Sequence, residues 1–225
     1  MKYNCLYANS CGLEFEYNRY YKPEEFFIGK TNSRIWVIGT NPRGNPSQND
    51  SDTATKDMFM DFKKDDVYFK RMQRVSKTLY NLLGQDNGAG HTDIVRCFSL
   101  GYTVDKMKFK DRNIKTLANV EKQCLNNLEK QLNSEEISFP EMIYCHGIPA
   151  SLAIRKLVKI PLEYKNTPED TVTSYIGTYI RNNDEIKVIR VVLSGMIHQM
   201  DRFSKARLGV EIDTFLKELK YDIEE

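Results

Sequence analysis

Ile35-Trp36-Val37-Ile38 runs directly into Gly39-Thr40-Asn41-Pro42-Arg43-Gly44-Asn45-Pro46, and this junction decides how the chain folds. Four consecutive large apolar residues suit a short buried strand, whereas two prolines and two glycines in the next eight residues stop both helix and ladder. The loop therefore leaves the carboxyl end of a strand, where open α/β sheets place their ligands, and Pro42 holds Asn41 to an extended backbone.

Outward from this point the apolar pattern alternates between two periods. Residues 1–33 form an irregular aromatic segment with Tyr17, Tyr20, Tyr21, Phe26 and Phe27, and Ser47 to Asp57 is a polar insertion. Tyr68, Met72, Val75, Leu79, Leu82 and Leu83 recur at helical spacing, with Gly84 as a stop. Asp93 to Cys97 reads as a second strand or its end, Val120 to Leu132 as an amphipathic helix and Met142 to Cys145 as a third strand. Pro149 to Val158 reads as a short helix and Val172 to Arg181 as a strand or hairpin. Ile186 to Leu193 is the strongest strand, and Asp213 to Leu219 is a closing helix. Alternation of this kind predicts an α/β fold. The expected form is a single three-layer α/β/α domain over residues 1–225 with a central, mainly parallel four-stranded sheet.

Composition narrows the function classes. At 225 residues the chain can bury a core as one domain, and 33 basic against 31 acidic residues give a net charge of only +2. Bulk attraction to a polyanion is excluded, so any nucleic-acid surface is local. No apolar run approaches the roughly 20 residues of a membrane span, and the N-terminus lacks a basic-then-apolar secretory pattern. The expectation is a cytoplasmic protein without membrane contact.

The five cysteines are Cys5, Cys11, Cys97, Cys124 and Cys145. An odd count without a secretion signal argues against a disulfide framework. Cys145 lies in an apolar run between Pro140 and Gly147 and reads as a buried strand thiol. The other four occupy less regular or more polar stretches, where four thiolates suit zinc or an iron-sulfur cluster and scattered burial is the alternative. After the last strong strand comes a second polar loop, Ser194-Gly195-Met196-Ile197-His198-Gln199-Met200-Asp201-Arg202-Phe203-Ser204-Lys205. If its strand neighbours the first, Asn41 and His198 face one cleft, an amide and an imidazole fit to position water and stabilise negative charge. Otherwise His198 is a loop histidine without a task.

These pieces, in this order, resemble the uracil-DNA glycosylase superfamily. Val37-Ile38-Gly39-Thr40-Asn41-Pro42 resembles its first catalytic motif, in which a core strand ends in Gly-x-Asn-Pro, Gly-Gln-Asp-Pro or Gly-Glu-Ala-Pro. His91-Thr92-Asp93-Ile94-Val95-Arg96-Cys97 resembles the base-reading strand, where Thr-Asn-Val-Val-Lys-Cys is common in the iron-sulfur members. Cys124 with Leu125, Leu128 and Leu132, then Pro140 to Gly147 and Ala150, resembles their cysteine-bearing helix, proline-led strand and next helix start. His198 falls where the family carries its His-Pro-Ser loop.

The resemblance implies a monofunctional glycosylase that acts as a monomer on DNA carrying a damaged or deaminated base, as in base excision repair. It implies catalytic roles for Asn41 and His198 and base contacts from Asp93, Thr40 and Phe69 (or Phe59); where Gln199 and Met200 replace the family's Pro and Ser after His198, Arg43, Arg202, Lys205 and Arg207 are available to hold phosphate. It also implies a 4Fe-4S cluster on Cys5, Cys11, Cys97 and Cys124, with zinc as the alternative. At position 93 the relatives use Asn to donate to O4 of uracil and accept from N3–H. An ionised aspartate accepts only, which favours a base edge presenting donors. The second reading is a nucleic-acid-binding or nucleotide-sensing protein on the same fold.

Overall fold

A computed structural model describes residues 10–11, 26–42, 66–97, 117–161 and 172–223. Cys5, Arg43, Phe59, the tyrosines at 17, 20 and 21, the polar insertion and the basic stretch from Lys106 to Lys115 lie outside the described residues.

The elements in chain order are β1 (Ile35–Gly39), α1 (Val67–Lys70), a 3₁₀ turn (Met72–Arg74), α2 (Lys77–Leu82), β2 (Ala89–Asp93), α3 (Leu117–Asn133), β3 (Met142–His146), α4 (Ile148–Leu157), β4 (Ser174–Arg181), β5 (Glu185–Ser194), a second 3₁₀ turn (Ile197–Gln199) and α5 (Arg202–Glu218). They form a mixed, mostly parallel sheet in the order β2-β1-β3-β5-β4. Among the described residues the sheet has five strands, not the expected four. β4 pairs antiparallel with β5 along its whole length, from Ser174↔Val192 to Arg181↔Glu185. The turn between them places Asn182 and Asn183 at φ 50° and 70°, a left-handed conformation that asparagine tolerates and tight hairpins use.

Strand alternation sends successive side chains to opposite faces, and both faces are covered. Trp36, Ile38, Ile143, Cys145 and Val191 pack with Val120, Cys124, Leu128 and Leu132 of α3 and with Ala150 and Ile154 of α4. Ile35, Val37, Met142, Tyr144 and Val192 pack on the other side with Phe69, Met72, Leu79 and Leu83 and with Leu208, Ile212 and Leu216 of α5. The fully buried Trp36 and Tyr144 mark the middle of this sandwich, and burial of each such aliphatic or aromatic group stabilises it by roughly 1.5–3 kcal/mol. No helix among the described residues is long and apolar enough to cross a membrane.

Three elements differ from the sequence-based expectation. The second strand is Ala89–Asp93, ending where Asp93 to Cys97 was expected to begin. The helix expected through Tyr68 to Leu83 is broken because Ser76 caps a new helix, its Oγ accepting from Leu79 N at 3.0 Å and donating to Asp213 of α5 at 2.5 Å. The closing helix starts eleven residues before Asp213, at Arg202, because Asp201 caps it by accepting from Ser204 N at 2.9 Å.

Candidate functional site

The chain moves from β1 to β2 on one side and then crosses to β3 on the other, so the crevice beyond the carboxyl ends of β1 and β3 is a topological switch point. The expected neighbourhood of the first and last strong strands is corrected here: β3 lies between β1 and β5. The loop after β3 consequently joins the loops after β1 and β5. Gly147, at φ +120°, is where they meet: a Cβ there would lie 2.8 Å from Thr40 Oγ1 and 3.2 Å from Met196 Cε. Its N–H donates to Ser194 O at 3.1 Å. A Cβ on the nearby Gly195 would meet nothing within 4 Å.

All three histidines of the chain gather at this end of the sheet. His146 ends β3 fully buried, its Nε2 accepting from Ile197 N at 3.2 Å. With Nε2 an acceptor, the neutral ring carries its proton on Nδ1. Burial, helped by His91, His198 and Arg71, depresses His146 to about 3, so the ring stays neutral across the working pH range. His198 sits exposed in the following 3₁₀ turn with Arg71 Nη1 3.3 Å from its Nδ1. A guanidinium only donates, so Nδ1 is the acceptor in this contact and the neutral ring carries its proton on Nε2. His146 thus holds the turn that carries His198, and Arg71 sets its tautomer.

His91 and Asp93 project from β2, with His91 Nε2 3.4 Å from Asp93 Oδ2 and both side chains buried. The strand is pinned on its outer edge by Ile28, whose N–H donates to His91 O at 2.8 Å, with the reverse bond also at 2.8 Å. Gly39 lies opposite Asp93 in the β1–β2 register. A Cβ at Gly39 would collide with Asp93 Oδ1 and lie 2.6 Å from Tyr68 Oη and 3.1 Å from His91 Cε1. The glycine is required for these three side chains to converge over the strand. The Tyr68 ring lies 5.2 Å from His91 and 4.8 Å from His146, bridging the ends of β2 and β3.

Thr40 Oγ1, Tyr68 Oη, His91 Nδ1 and His146 Nδ1 are buried without a hydrogen-bond partner among the described residues. Each such atom costs roughly 1–3 kcal/mol, and these four stand at one end of the sheet. Each of these atoms retains hydrogen-bonding capacity that the described residues do not use.

Of the residues expected at the site, Thr40, Asn41, Asp93 and His198 stand at the same end of the sheet, and Asn41 donates from Nδ2 to Pro42 O at 3.1 Å. Phe69 is fully buried in the core beneath, its ring 5.2 Å from His91 and 5.0 Å from Tyr68. Arg202 is exposed at the start of α5, Lys205 is half-buried one turn on, and Arg207 pairs with Glu211 at 2.9 Å. Cys11, Cys97 and Cys124 are all buried in one cluster. Residues 10 and 11 are tied to α3 there: Asn119 donates to Ser10 O and Cys11 O at 2.9 Å, and Ser10 Oγ donates to Gln123 at 3.4 Å. Among the described residues, no three of His, Cys, Asp and Glu are arranged to hold a metal ion. Cys145 is a fully buried strand thiol, pushed up by burial.

Tyr68, Arg71, His91 and His146 were missed. The only local signal for His146 was a polar residue closing an apolar run at Gly147, and for His91 its place two residues before Asp93. No protein-family model matches the chain, and no curated protein matches it.

Proposed function

We propose that the protein is a DNA glycosylase that hydrolyses the N-glycosidic bond of uracil or another altered base in DNA, acting as a monomer in base excision repair. The observation that carries this reading is the row of unpartnered polar atoms on Thr40, Tyr68, His91 and His146 at the switch point, beside Asn41 and His198. A flat, polar, extruded base presents donors and acceptors for atoms of this kind.

In the proposed reaction the nucleotide leaves the helix and its base enters the crevice. The Asn41 amide holds the attacking water and faces the sugar as positive charge builds there. His198 donates its Nε2–H to the base oxygen as the glycosidic electron pair passes into the ring. Water supplies hydroxyl to the sugar carbon, and its proton goes to the departing base or to solvent. An amide is no strong base, so the site favours a base that leaves as a stabilised anion. Arg202 and Lys205 of α5, with Arg43, are proposed to hold phosphates locally, consistent with the small net charge. Cys5, Cys11, Cys97 and Cys124 are proposed to hold a 4Fe-4S cluster, with zinc as the alternative; the burial of Cys11, Cys97 and Cys124 within one core cluster supports this.

The test is base release from oligonucleotides carrying uracil, hypoxanthine, xanthine or a thymine mismatch, scored as abasic product. Asn41→Ala is expected to lower release by about 100-fold or more. DNA binding without release, unchanged in Asn41→Ala, would instead indicate a nucleic-acid-binding or nucleotide-sensing protein on the same fold.

A further inference from the structure

We propose that Tyr68 and Asp93 form a split donor–acceptor pair that reads the lactam edge of the base, a ring N–H beside a carbonyl. This rests on the base-excision reading and names its substrate class.

Asp93 alone supplies only acceptors. Its Oδ2 faces His91 Nε2 at 3.4 Å, which leaves Oδ1 directed over Gly39. Tyr68 Oη reaches the same place, 2.6 Å from where a Gly39 Cβ would stand, and has no hydrogen-bond partner among the described residues. An acceptor and an unused donor are therefore side by side above one backbone position. Together they offer what a single carboxamide offers, split over two side chains from α1 and β2. Burial, then the neighbouring Asp93, pushes the Tyr68 hydroxyl well above the ordinary tyrosine range, so it keeps its proton and remains a donor.

A ring N–H accepted by Asp93 beside a carbonyl that accepts from Tyr68 completes both groups. An amino-pyrimidine edge also presents a donor beside an acceptor, but it leaves as a poorer anion. The lactam carbonyl gathers negative charge as the bond breaks, where the Tyr68 O–H strengthens its bond to it. The class that fits is uracil or hypoxanthine, products of deamination, with Asp93 kept as the acceptor and the missing donor supplied by Tyr68.

The experiment compares single-turnover base release from uracil, hypoxanthine, cytosine and adenine oligonucleotides by the wild-type chain, Tyr68→Phe, Asp93→Asn and the double variant. Wild type is expected to release uracil or hypoxanthine and not cytosine or adenine. Tyr68→Phe should slow release by about 10- to 100-fold. Asp93→Asn placed in the Tyr68→Phe chain should recover much of it, since an amide carries both groups. Thermal melting of Tyr68→Phe should not fall, because the variant deletes an unpartnered buried hydroxyl. Wild-type rates in Tyr68→Phe, or no recovery in the double variant, would overturn the pair. Calorimetry with free uracil and hypoxanthine separates the two levels. Binding weakened by Tyr68→Phe without release from any oligonucleotide keeps the pair and discards excision; neither binding nor release discards both.

Discussion

His146 makes the stability of this protein depend on pH in a way that one substitution can remove. The ring is fully buried, its Nε2 accepts from Ile197 N at 3.2 Å, and burial lowers its pKa from the ordinary 6.5 to about 3. A depressed folded value means that the unfolded chain takes up the proton first. The stabilising effect is complete above about pH 6.5 and is lost as pH falls towards about 3. The whole gap is worth about 5 kcal/mol, and the slope within it about 1.4 kcal/mol per pH unit. At about pH 5 the loss is about 2 kcal/mol, or roughly 4–8 °C of melting temperature for a chain of this size. Other groups also titrate, so the quantity to measure is the difference between wild type and His146→Gln, whose amide still accepts from Ile197 N. Melting is followed by circular dichroism from about pH 7.5 to about pH 4.5 in constant salt. Wild type should lose the stated increment relative to the variant, beginning near pH 6.5. Parallel curves would refute the buried neutral ring, and with it the account of how the His198 turn is held.

Two other outcomes follow from the opposite face of the sheet. Arg96 is buried at 1 % exposure, donating to Phe26 O at 2.6 Å, to Gln131 at 2.8 Å and to the Thr92 hydroxyl; Arg96→Met should cost about 3 kcal/mol in urea unfolding, whereas a loss below about 0.5 kcal/mol would show the network to be dispensable. Anaerobically purified protein should contain iron and acid-labile sulfide, lose both in Cys124→Ala and keep both in Cys145→Ala; folded protein free of iron and zinc would remove the metal proposal.

How far the sequence was legible depends on where each strand draws its burial. β1 is a fully buried apolar run and β5 is rich in β-branched residues that are buried over its second half, so the residue pattern located both to within a residue or two. β2 is Ala-Gly-His-Thr-Asp, and nothing in that string is strand-like alone. Its burial comes from tertiary partners: Gly90 leaves room for the Phe27 ring, and Thr92 Oγ1 donates to Phe26 O at 2.6 Å. Those partners lie some sixty residues away, outside any local window, so the expected strand or strand end at Asp93 to Cys97 meets β2 only at its last residue. The helix after β1 failed similarly, since an apolar spacing that suits one helix also suits two separated by a Ser76 cap bonded to Asp213.

Strand order is the piece that local sequence carries least, and the candidate site turns on it. Asn41 and His198 were recognisable because each follows a strong strand and a glycine. Adjacent strands would have made them a complete pair, with no part for anything between. The observed order puts β3 between β1 and β5, which places His146 and Gly147 in the gap. Gly147 then brings the Thr40 and Met196 loops together, and His146 bonds the turn that carries His198. A histidine that the sequence showed only as the polar end of an apolar run thereby holds the second loop, beside the glycine that meets both. The same order exposes the end of β1 to β2 on one side and β3 on the other, and Tyr68 spans both. The amide at Asn41 and the carboxylate at Asp93 are thus parts of a crevice whose remaining donors are contributed by residues with no motif of their own.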